Sequence, residues 1–169
     1  MKTILEYFVA APLIVFLISL FLPAKRETLI SWTSFVGVGL HMVSGWLFLI
    51  YWILKDSPTI DLKDVVLLRT EGYEFFLDFS FDRITATFLF VGSFLTFLVT
   101  LYSRYYLHRE EGYKRFFNTV LVFYLGYNII IFSGNLETLF IGWEILGVSS
   151  FLLIAFYRDR YLPVKNAVK

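Results

Sequence analysis

The stretch LETLFIGWEILGVSSFLLIAFY, Leu136–Tyr157, decides how this chain folds. At about 1.5 Å per residue, a helix of this length reaches about 33 Å, enough to cross roughly 30 Å of hydrocarbon. It holds no proline, and its only charged side chains are Glu137 at the entrance and Glu144 further in. It therefore reads as a membrane span with a carboxylate inside it.

Four further apolar segments precede it, near residues 7–23, 29–54, 84–106 and 116–132. Composition agrees, since hydrophobic residues make up 58% of the 169 and charged residues only 17%, too few to cover a water-soluble domain. The expected fold class is an all-α membrane protein of about five transmembrane helices, a single membrane domain over 1–169. Pro12 falls near the expected start of the first span, where a missing N–H costs least. The first apolar run lacks a small-residue cleavage site and reads as a retained helix rather than a signal peptide.

Charge sets the expected orientation. Lys25 and Arg26 follow the first span. Arg104, Arg109, Lys114 and Arg115 surround the loop after the third. Arg158, Arg160, Lys165 and Lys169 form the tail. With five spans these groups all fall on one side, the cytoplasmic side by the positive-inside rule. On the other side, Lys55–Arg83 carries Lys55, Lys63, Arg69 and Arg83 against Asp56, Asp61, Asp64, Glu71, Glu74, Asp78 and Asp82. The expectation is an N terminus outside and a C terminus in the cytoplasm, in a bacterial inner membrane. Within that outer segment, Val65–Leu68, a Thr70-Glu71-Gly72 turn and Glu74–Phe81 read as a hairpin spanning roughly 62–81. Phe75, Leu77, Phe79 and Phe81 alternate with polar residues, so one strand face needs cover from helix ends or from another subunit.

Glu144 lies seven residues in from Glu137, about 10 Å below the outer mouth. A charged carboxylate at that depth costs a few kcal/mol, so it should face protein or a hydrated cavity rather than lipid. Burial favours the neutral form of a carboxyl and a nearby Lys or Arg favours the charged one. A group pulled both ways can load and release a proton when the cation moves. Glu137, two turns earlier on nearly the same face, extends this into a proton-path line, and Gly147 follows on that side as a packing position. The alternative is a neutral Glu144 tying helices by hydrogen bonds. His41, mid-span in the second helix, is a weaker proton-path candidate beside the reading of a histidine satisfied by a carbonyl or serine. Asn128 reads as helix–helix glue, Gly37, Gly39 and Gly45 as close-packing positions, and Asp82 and Arg83 as anchors of the third span's outer entrance. Without Cys, and with His41 and His108 the only histidines, neither a thiolate site nor a self-contained zinc site is expected. No phosphate loop, dinucleotide fingerprint or nucleophile–base pair appears, so no cofactor or metal and no nucleic-acid partner is expected.

Asp82-Arg83-Ile84-Thr85, Leu101–Tyr106 and Arg109–Phe117 together resemble the third and fourth helices of the antiporter-like subunits of respiratory complex I. Asn135-Leu136 and Gly142–Tyr157 resemble that family's fifth helix, and Asn166–Lys169 the entry to its sixth. Within the family the resemblance is strongest to the L-type subunit, a type shared with Mrp sodium/proton antiporters and bicarbonate-uptake complexes. Ile145-Leu146 stands where complex I subunits typically carry smaller residues. The resemblance implies a proton-translocating module, non-redox if in complex I, of about fourteen helices with two inverted repeats beginning at the fourth. It also implies that the fifth-helix Glu, here Glu144, pairs with a Lys of the seventh helix. That Lys lies beyond Lys169. The chain is thus expected to be the N-terminal part of such a subunit. Its partners would be membrane lipid, other membrane subunits and the remainder of its own. A non-transporting scaffold or assembly partner is the reading from another class.

Overall fold

The computed structural model describes residues 2–70 and 73–168, with helices α1 (Lys2–Phe21), α2 (Glu27–Leu54), α3 (Arg83–Tyr106), α4 (Tyr113–Phe132), α5 (Leu136–Ile154) and a short α6 (Tyr161–Ala167). Strands β1 (Ile60–Thr70) and β2 (Tyr73–Phe81) form an antiparallel hairpin between α2 and α3. Residues 71 and 72, in the expected Thr70-Glu71-Gly72 turn, lie outside the described residues. The first five helices are each long and apolar enough to cross a membrane. The chain is an integral membrane protein.

Local chemistry sets most boundaries. Pro23 follows the end of α1 and cannot continue it. The Asp82 carboxylate accepts from the Thr85 N–H at 2.8 Å and starts α3. Asn135 starts α5 likewise, accepting from the Thr138 N–H at 2.9 Å. Gly112, at φ +89°, makes the left-handed turn into α4. Among the helix boundaries, the start of α1 departs furthest from expectation. The first helix begins at Lys2 rather than near residue 7, because Leu5 is a fully buried core residue despite the neighbouring Glu6. Pro12 consequently sits inside the helix, not near its start.

α4 is the central element, flanked by α1, α2, α3 and α5. At the hairpin end, Leu5, Phe8, Phe48, Trp52 and Phe132 form one core with Ile60, Leu62, Phe79 and Phe81 of the hairpin. The alternating face of β2 is therefore covered by the chain's own helix ends. At the basic end, Ile30, Leu107, Tyr113, Phe117 and Phe156 form a second core. Three contacts draw the basic segments together there: Glu27 pairs with His108 at 2.9 Å, Lys114 donates to the Leu20 and Leu22 carbonyls, and Arg115 donates to that of Phe156.

Candidate functional site

α5 is set against α4 by two glycines. A Cβ on Gly142 would lie 2.9 Å from the Ile130 backbone nitrogen and 3.0 Å from the Gly126 carbonyl oxygen. One on Gly126 would lie 2.9 Å from the Leu146 nitrogen. Small residues let transmembrane helices approach backbone to backbone in this way. Gly142 thereby fixes which face of α5 meets α4, and Glu144, two residues on, turns about 200° away from that contact.

Glu144 is exposed on the surface of the chain, as are Phe140, Trp143, Gly147, Val148 and Phe151 around it. It makes no hydrogen bond or ion pair among the described residues. Nothing lies within 4 Å of where a Cβ on Gly147 would stand, so the surface beside the carboxylate is open. Glu137 is half-buried in the first turn of α5. Around it the hairpin clamps the α4–α5 turn: Gly134 N–H donates to the Asp78 carbonyl at 2.7 Å, Asp78 N–H to Thr138 Oγ1 at 3.0 Å, and Asn135 Nδ2 to the Phe76 carbonyl at 2.9 Å. The hairpin thus holds the mouth of the helix that carries both carboxylates.

His41 belongs to a different place. It is buried between α1, α2 and α4, its Nε2 lying 3.0 Å from the Phe8 carbonyl and its Nδ1 2.7 Å from the Tyr124 hydroxyl. A carbonyl only accepts, so Nε2 carries the proton; the neutral ring then accepts the Tyr124 O–H at Nδ1. Pro12 has no N–H to give the carbonyl four residues before it, which is that of Phe8. His41 supplies the missing donor. Tyr124 and Gly126 point to opposite sides of α4, about 200° apart. The structure therefore separates His41 from Glu144 across that helix.

Asn128 is fully buried and donates through Nδ2 to the Tyr124 carbonyl of its own helix at 2.7 Å, while its Oδ1 has no partner among the described residues. Asp82 caps α3, and the neighbouring Arg83 lines a groove with Trp46, Trp52 and Phe90. Sequence reasoning missed Gly126, Gly142 and Tyr124. The two glycines carried a signal, being small residues inside apolar spans, but nothing in the sequence paired them.

A family model described as NADH-ubiquinone oxidoreductase (complex I), chain 5 N-terminus, matches residues 68–117. NADH-ubiquinone oxidoreductase chain 5 of Schizophyllum commune is 37% identical over 143 residues, covering 85% of this chain and 20% of that protein. By sequence the chain belongs with the antiporter-like subunits of complex I, over their N-terminal part. NADH-quinone oxidoreductase subunit L of Neisseria meningitidis is 38% identical over 94 residues, 55% of this chain and 14% of that protein. The chain thus matches at most a fifth of the length of these relatives. The resemblance read from the Asp82–Phe117 motifs falls largely within the stretch that the family model matches.

Proposed function

We propose that this chain forms the front part of a proton-translocating antiporter-like membrane subunit, in which Glu144 handles a proton opposite a cation supplied by sequence outside this chain. The observation that carries the reading is the position of Glu144, seven residues beyond Glu137 in a membrane-spanning helix and exposed on the face turned from α4. Lipid is an unfavourable neighbour for that group by a few kcal/mol. Another protein element must therefore cover this face, and the open surface beside Gly147 leaves it room for close approach. A Lys in that element, as the family resemblance implies, would favour the charged carboxylate when near and release it to take up a proton when withdrawn. Glu137, on nearly the same face and about 10 Å nearer the hairpin end, is the entry-side carboxylate of the path.

On this reading the remaining membrane subunits of the complex are partners, the N terminus lies outside and the basic face lies in the cytoplasm. A photoreactive phenylalanine analogue at Phe140 or Phe151, both flanking Glu144, tests it in the assembled complex. Cross-links to a membrane segment bearing Lys or Arg are expected. Adducts to lipid alone would overturn the reading.

A further inference from the structure

α1 and α5 both pack on α4 and leave a groove between them, about 530 Å³ in volume. Phe16 of α1, Val122 of α4 and Val148 and Leu152 of α5 make its apolar walls. Lys114 and Arg115 stand at its mouth, at the basic end of the bundle. Lys114 Nζ is held there by the Leu20 and Leu22 carbonyls at 2.8 and 2.6 Å, and Arg115 by the Phe156 carbonyl at 2.9 Å.

These carbonyls fix the two cations in place without neutralising them. Neither makes an ion pair among the described residues, although Glu110, Glu111 and Asp159 line a neighbouring pocket with Arg115. Each keeps further N–H donors, since an ammonium has three and a guanidinium five. A mostly apolar slot, with Asn118, Thr119 and Ser149 among its lining and two fixed cations at one end, matches a molecule with a fatty chain and an anionic head.

We propose that this groove is a binding site for an anionic phospholipid, one acyl chain lying between α1 and α5 and the phosphate on Lys114 and Arg115. Charge complementarity selects lipid over a further apolar helix, which would bring no counter-charge to Lys114 or Arg115. The groove adjoins the Glu144 surface on the side of α5 facing α1: Val148 lies about 40° and Leu152 about 80° round the helix from Glu144, whereas Gly147 and Phe151 lie to its other side.

The test uses the full protein in vesicles doped with phosphatidylglycerol or phosphatidylcholine carrying the same diazirine-labelled acyl chain. Adducts on Phe16, Val122, Val148 and Leu152 are expected to favour phosphatidylglycerol about thirtyfold, the order set by two basic residues near an anionic surface. The Lys114→Gln/Arg115→Gln variant should lose that preference and Lys114→Arg/Arg115→Lys should keep it. Adducts on exposed Leu95 of α3 should be alike for both lipids in every protein, which checks insertion. Equal groove labelling by both lipids, or a groove without adducts because protein covers it, would overturn the proposal.

Discussion

Gly126 of α4 and Gly142 of α5 meet backbone to backbone, a Cβ on either falling within 3.1 Å of the other's carbonyl oxygen. This contact decides the direction of Glu144, because it fixes the rotation of α5 about its own axis. A side chain at either position would meet main chain that cannot move aside, besides the side chain of Ile145 at Gly126 or of Ile130 at Gly142.

Gly142→Val is therefore expected to destabilise the helix bundle by about 1–3 kcal/mol, the usual cost of forcing atoms into a filled contact. Unfolding in mixed micelles by dodecyl sulfate titration measures it. The same replacement at Gly147, where the chain leaves open space, should cost the isolated chain far less.

His41→Leu leaves the Phe8 carbonyl and the Tyr124 hydroxyl unpaired, at a cost of about 1–3 kcal/mol for each buried group. Pro12→Ala returns an N–H to the helix and gives the Phe8 carbonyl a partner again. The double variant should thus be more stable than the sum of the two single changes predicts, by about 1 kcal/mol. Additive losses in the same titration would break the link between Pro12 and His41.

Asn135→Ala removes both the α5 cap and the bond to the Phe76 carbonyl. The expected loss is about 1–2 kcal/mol, the range of helix caps. Hydrogen exchange should rise in the first turn of α5 and in β2 together, since one side chain serves both. A rise in α5 alone would show that the hairpin does not hold this mouth.

The sequence holds no cysteine, so single replacements report orientation without background. An impermeant maleimide added to intact cells should label Thr59→Cys, beside the hairpin, and spare Glu111→Cys until the membrane is opened. Both positions are exposed. The opposite pattern would invert the topology.

The spans were legible because hydropathy is a one-dimensional property, and the hairpin because alternation every second residue is too. Glu144 stood out as a cost the helix must recover somewhere. Its direction was not legible. α5 is apolar on every side, with exposed Leu139, Phe140, Trp143 and Val148 spread around it, so no periodicity marks an inward face. The His41 bond was hidden for a related reason. It depends on Pro12 lying inside α1, which follows from Leu5 reaching the core, and on α2 crossing at Phe8. Those are facts of packing rather than of local pattern.

The most direct test of the central claim is proton flux per assembled complex with Glu144→Gln, the neutral isostere of the carboxylate. Flux should fall at least about tenfold while the amount of complex stays unchanged, the loss expected of a positioned proton-transfer group. Near-normal flux per complex, with or without a drop in abundance, would contradict the account and leave Glu144 a structural tie.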